Sequence, residues 1–225
     1  MINYLSLRPR NLLSDEFRHL LLLLYWPVYG ILFWYVEAHY PVENYFAVYH
    51  PLDDLIPFCE LFVLPYMFWF AFIVGMLAYT LFWDVDAFRR MMWFTIFTYS
   101  TTLVIYFLFP TCQELRPAVF ERDNFLTRFM ADFYAYDTNT NVCPSLHVIG
   151  SWAVVFTAWH TPLFRKPAWA VSFGVMGVLI SASTVFLKQH SLWDVIAAVP
   201  LCIIGWLLCF APRCKQRVKA ESAAV

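Results

Sequence analysis

The sequence predicts an all-α integral membrane protein, a bundle of six transmembrane helices with both termini in the cytoplasm. Three observations carry that expectation. Hydrophobic residues make up 61% of the 225 and charged residues only 14%, with a mean hydropathy of +0.59, whereas soluble domains carry about 25% charged residues. The apolar residues gather in runs close to the ~20 that a helix needs to cross a bilayer. Lys and Arg fall on alternate sides of those runs.

The runs define the elements in order: His19–Glu37, Glu60–Trp83, Met91–Phe109, Leu146–Trp159, Ala168–Leu187 and Leu192–Phe210. The second is rich in Phe, Trp and Tyr; the fourth is short and begins at the edge of the preceding loop. The first follows Arg8, Arg10 and Arg18 without a small-residue cleavage site, so it reads as an uncleaved span rather than a signal peptide. Between the first two runs, the stretch 44–59 with Asp53, Asp54 and Pro57 reads as an interfacial turn. The stretch 110–144 is too long for a plain connector and reads as a segment that covers or builds a site. The whole chain reads as one domain, with no repeats and no glycine-rich phosphate loop.

With six spans, one side collects Arg8, Arg10, Arg18, Arg89, Arg90, Arg165, Lys166, Arg213, Lys215, Arg217 and Lys219, which is 11 of the 15 Lys and Arg. The other side holds Arg116, Arg122, Arg128 and Lys188. The positive-inside rule makes the first side cytoplasmic, in keeping with a plasma membrane protein whose site faces outward. The run Arg213–Lys219 reads as a cytoplasmic stop in contact with lipid headgroups. Net charge is −1 and no basic tract has the length of a nucleic-acid footprint, so nucleic acid is excluded as a partner. Of six cysteines, Cys202 and Cys209 read as packing residues. Cys59, Cys112 and Cys143 fall in outer loops, a placement compatible with a Cys112–Cys143 disulfide.

Chemistry concentrates at two stretches on the outer side. His190 and Asp194 stand four residues apart, which on a helix places imidazole and carboxylate on one face within hydrogen-bond reach. A carboxylate that holds one ring nitrogen frees the other to attack or to accept a proton. Ionisable groups at the mouth of an apolar run are costly, and that cost favours a functional role. The second stretch is Pro144-Ser145-Leu146-His147. A helix starting there presents unsatisfied N–H groups to an anion, Ser145 caps it or donates to a phosphate oxygen, and His147 donates a proton to a leaving oxygen. Arg116, held extended before Pro117, has the guanidinium geometry for bidentate phosphate contact; Arg122 and Arg128 compete for that role.

Arg116-Pro117, Pro144-Ser145-Leu146-His147 and Ser183 followed by His190-x-x-x-Asp194 occur in the order of the type 2 phosphatidic acid phosphatase (PAP2) superfamily, whose pattern K-x6-R-P, P-S-G-H and S-R-x5-H-x3-D this half of the chain resembles. The resemblance implies a six-helix enzyme without cofactor or metal. It makes His190 the nucleophile, Asp194 its orienting carboxylate, His147 the general acid, and Arg116 and Ser145 phosphate ligands. Phe109 stands where the family lysine falls, Thr184 where its second arginine falls, and Leu146 replaces the motif glycine. The Leu form is similar to the branch related to inositol phosphorylceramide synthases. Lys188 is the candidate to compensate for the missing cations.

A lipid phosphate phosphatase is therefore the expected function, with transfer of a phospho-headgroup to a lipid alcohol as the alternative. A small six-helix transporter, with the two histidines and Asp194 as a proton relay, is the reading from another class, and a metal site of His147, His190, Asp194 and Cys143 is a third. Expected partners are a lipid phosphate and membrane lipids.

Overall fold

The computed structural model describes residues 2–211; the basic run 213–219 lies outside them. Seven α-helices make up the architecture: α1 Tyr25–Ala38, α2 Val63–Trp83, α3 Val85–Leu108, α4 Phe125–Tyr136, α5 Leu146–His160, α6 Pro167–Phe186 and α7 Leu192–Cys209. A 3-10 helix, Arg18–Leu24, runs into α1. With its flanking 3-10 turns, the helical segment Arg18–Ala38 is long and apolar enough to cross a membrane, as are Glu60–Trp83, Val85–Leu108, Pro167–Phe186 and Leu192–Cys209.

The bundle is inside-out relative to a soluble protein. Leu64, Val74, Leu108 and Val171 face outward, while Thr95, Thr98, Thr102, Ser151, Thr157, Ser183 and Thr184 are buried. A hydroxyl in a low-dielectric interior needs a partner. Several find one on their own helix: Thr98 donates to Phe94 C=O at 2.8 Å and Thr157 to Ala153 C=O at 2.7 Å. Several apolar helices with lipid-like outer surfaces make this a membrane protein.

Helix α5 is the axis, packing against α2, α3, α6 and α7. It has 15 residues, about 22 Å at 1.5 Å per residue, short of a hydrocarbon core of ~30 Å. Ile149, Val154, Val155 and Ala158 are fully buried by the longer helices around it. Gly177 leaves room on α6 for a side chain of α5: a Cβ there would stand 2.7 Å from Val155 Cγ2.

Two elements depart from expectation. Helix α3 begins at Val85, six residues before the expected start at Met91. Asp84 caps it by accepting Ala87 N–H at 3.1 Å, and the arginines thought to end the loop sit on its first turns, Arg90 donating to Cys209 C=O at 2.8 Å. The stretch 110–144 contains α4, whose Asn124 accepts from Leu126 and Thr127 N–H.

One end of the bundle carries all the long connections. A two-stranded parallel ladder, β1 Phe46–Ala47 and β2 Thr111–Cys112, joins the α1–α2 and α3–α4 segments there. Glu37, at the end of α1, accepts from Thr138 and Thr140 hydroxyls and from Asn141 Nδ2, at 2.5, 3.1 and 2.7 Å, so the strap leading into α5 is tied down. Cys112 and Cys143 are free thiols, not the disulfide their placement allowed.

Candidate active site

The N-termini of α5 and α7 meet at this end, joined by Ser145 N–H donating to Asp194 C=O at 3.1 Å. His190 Nδ1 lies 3.0 Å from Asp194 Oδ2. The carboxylate accepts, so Nδ1 carries the proton and Nε2 keeps its lone pair. The contact expected from the i,i+4 spacing is present but its geometry differs, because His190 precedes the helix. Ser191 is the N-cap, and Asp194, at the third helical position, reaches back to accept Ser191 N–H at 3.0 Å. This is a capping box, and its carboxylate oxygen serves the cap and the histidine together. Asp194 is fully buried; apart from the Cys143 thiol, which hydrogen-bonds to this carboxylate, its Oδ1 has no partner among the described residues. The Cys143 thiol stands beside this carboxylate, and burial, with Asp194 next to it, pushes the thiol up to about 12. Cys143 therefore stays protonated at neutral pH.

His147, on the first turn of α5, faces His190 edge-on with ring centroids 5.9 Å apart. Tyr66 stacks on it at 4.3 Å and 22°, and Trp69 lies at 4.3 Å and 35°. These α2 residues are three apart, hence on one helix face, and they fix the imidazole plane. His147 Nε2 has no hydrogen-bond partner among the described residues. Ser145 is fully buried and acts as the N-cap of α5, its Oγ accepting from Val148 N–H at 3.5 Å. Its own O–H remains available to donate, and the N–H groups of Leu146 and His147 lie outside the helix's hydrogen-bond ladder.

Arg116 comes to the same region with its guanidinium largely engaged. Nη1 donates to Tyr134 and Asp137 C=O at 3.1 and 2.8 Å, and Nη2 to Thr138 C=O at 2.8 Å and Gln189 Oε1 at 2.6 Å. The guanidinium carbon lies 4.6 Å over the Tyr134 ring, and Asp137 Oδ2 stands 3.7 Å away. Nε has no hydrogen-bond partner among the described residues. Arg116 thus ties α4 and the strap to Gln189, the neighbour of His190. Arg122 and Arg128 do not share this position: they pair with Glu60 and Asp123.

Lys188 adopts a left-handed backbone, φ 51°, and donates from Nζ to Asp53 C=O at 2.5 Å. Burial pushes its pKa down, and the charges of Asp53 and Asp54 oppose that shift. Partial burial pushes the Asp137 carboxyl up, against the pull of Arg116.

Four contributors were not foreseen. Tyr66 and Trp69 were legible only as an aromatic face of a span. Asp137 and Gln189 carry no local signal, because their roles depend on the strap and on Arg116. A groove of about 600 Å³, walled by Phe46, Val48, Ile105, Trp193 and Leu201 among others, includes Cys143 and Pro144 in its lining.

No curated protein and no solved structure matches the chain. A protein-family model described as PAP2 superfamily matches residues 91–217, more than half of the chain, and that segment includes Arg116, Ser145, His147, Lys188, His190 and Asp194 alike. On that match the chain belongs to the PAP2 superfamily, whose activity is phosphatase or phosphotransferase chemistry on phosphate esters.

Proposed function

We propose that the protein is a metal-independent lipid phosphate phosphatase working through a phosphohistidine, at the outer face of a six-span bundle whose termini are cytoplasmic. The observation that carries this reading is the His190–Asp194 contact at 3.0 Å with His147 facing the same imidazole.

In the first step His190 Nε2 attacks phosphorus. The N–P bond forms as the ester P–O bond breaks, and protonated His147 gives its proton to the departing alkoxide. Asp194 orients His190 and stabilises the charge that develops on the ring. The equatorial oxygens would be met by the Leu146 and His147 N–H groups and the Ser145 hydroxyl at the N-terminus of α5, with Arg116, held beside His190 through Gln189, supplying positive charge and its Nε. Lys188 adds positive charge from behind Asp53. In the second step His147 takes a proton from water, the resulting hydroxide attacks phosphorus, and the N–P bond breaks to release phosphate. The apolar groove beside Cys143 and Pro144 supports a lipid donor.

The test is phosphate release by purified protein in detergent with chelator, over a panel of lipid phosphates. Release by wild type that is absent in His190→Ala, with acid-labile label trapped on His190, is the expected result. Strict metal dependence would sink the proposal.

A second reading has its own support. Arg116 is held by four oxygens and faces Asp137, and Lys188 is held by Asp53, so cationic charge at the site is scarce. A singly charged phosphodiester suits such a site better than a dianionic monoester, and a lipid alcohol would then replace water as acceptor. Product lipid formed from a phosphodiester donor only when an alcohol acceptor is added would favour transfer.

A further inference from the structure

The segment between α1 and α2 reaches into the site from outside the family-matched stretch. Asp53 is 1% exposed and sits in the 3-10 turn Pro51–Asp53. Its Oδ2 accepts the Ser191 hydroxyl at 2.6 Å and His50 N–H at 2.8 Å, and its Oδ1 accepts Leu192 N–H at 2.8 Å. Ser191 Oγ in turn accepts Trp193 N–H at 3.2 Å, and Ser191 N–H goes to the same Asp194 oxygen that faces His190 Nδ1. Trp193 also packs edge-on against His50, centroids 5.3 Å apart.

Burying a carboxylate is costly unless donors surround it, and Asp53 has three. Two of them come from the residues that begin α7. Ser191 can cap that helix without help. What Asp53 adds is direction: by accepting the Ser191 hydroxyl hydrogen it turns the oxygen lone pairs toward Trp193 N–H. Without Asp53 the hydroxyl is free to donate to the Asp194 carboxylate, one helical turn on, and to turn it away from His190 Nδ1.

We propose that Asp53 is a positioning residue for phosphoryl transfer, acting through Ser191 to keep the Asp194 carboxylate committed to His190. The proposal rests on His190 being the nucleophile. It places a determinant of turnover in a loop 138 positions away in sequence from Ser191.

The experiment compares wild type with Asp53→Ala, Asp53→Asn, Ser191→Ala and the double variant Asp53→Ala/Ser191→Ala. Turnover of a lipid phosphate is measured together with the low-field proton resonance of His190 Nδ1–H, assigned by its loss in His190→Ala. Asp53→Ala is expected to lower kcat about 30-fold with KM within twofold, and to shift or broaden the resonance. The double variant should be no slower than Asp53→Ala, because the competing hydroxyl is gone. If Asp53→Ala does not fold, Asp53→Asn decides the matter, with a kcat loss of at least fivefold at unchanged melting temperature as the expected result. Wild-type kcat and an unmoved resonance in Asp53→Asn would overturn the proposal, as would losses that multiply in the double variant. The resonance needs no substrate: if it moves in the Asp53 variants while no phosphate ester is turned over, the positioning stands and the phosphatase reading fails.

Discussion

Helices α5 and α7 start side by side and are both capped by a serine, yet their N-termini are finished in opposite ways. That of α7 receives two carboxylates, Asp194 from its own first turn and Asp53 from a distant loop. That of α5 has a neutral cap and no acidic residue in its first turn. Every helix N-terminus attracts negative charge. Where the protein supplies that charge itself, the result is an oriented histidine; where it supplies none, the function proposed above leaves the place to the substrate's phosphate. One local physical feature is thus divided into two roles by the side chains around it.

The largest expected effects fall on the α7 side. His190→Ala should abolish phosphate release. Asp194→Asn, which keeps the shape but loses control of the imidazole tautomer, should cut kcat by about 10,000-fold while the melting temperature stays within a few degrees. Turnover near wild type in that variant would reduce the α7 arrangement to a cap. Next comes the general acid. His147→Asn should slow a lipid phosphate by about 100- to 10,000-fold but a nitrophenyl phosphate far less, since nitrophenolate leaves without a proton. Equal losses on both substrates would remove His147 from the proton-transfer role.

The comparison itself is tested by making the two ends alike. Aspartate caps helices as well as serine, so Ser145→Asp should keep α5 capped, at a cost in melting temperature because position 145 is fully buried. It places a carboxylate where phosphate is to bind, and like charges in contact cost several kcal/mol; kcat/KM should fall by about 100-fold or more. Retained activity would mean that phosphate binds elsewhere.

How much of this was legible in the sequence depends on distance along the chain. Five of the six expected spans correspond to helices long and apolar enough to cross a membrane, because bilayer thickness sets their length; the fourth corresponds to the shorter α5, and the start of α3 was not legible, because Arg89 and Arg90 look like loop residues until Arg90 is seen bonded to Cys209. The His190–Asp194 contact was legible from spacing, and the capping box that makes it was present in Ser191-Leu192-Trp193-Asp194. Arg116 illustrates the limit. Its place near His190 followed from the family pattern, but its four oxygen partners come from α4, the strap and Gln189, and no spacing rule reports them. Asp53 lies further still from any signal, since only the folded loop brings it to Ser191.

The smallest expected effect separates the two cations. Lys188 is pinned to the Asp53 carbonyl, whereas Arg116, tied to Gln189 beside His190, keeps an Nε without a partner among the described residues. A partly exposed charge acting at a distance is worth up to about 1 kcal/mol, so Lys188→Ala should lower kcat/KM only about threefold, and less at high salt. Arg116→Lys keeps the charge but loses the fork that holds Tyr134, Asp137, Thr138 and Gln189, and should cost more than Lys188→Ala. Steady-state kinetics of the two variants at low and high salt check the order. If Lys188→Ala is the more damaging and its effect ignores salt, the lysine contacts phosphate directly, and the division of charge between the two helix ends is less complete than their caps imply.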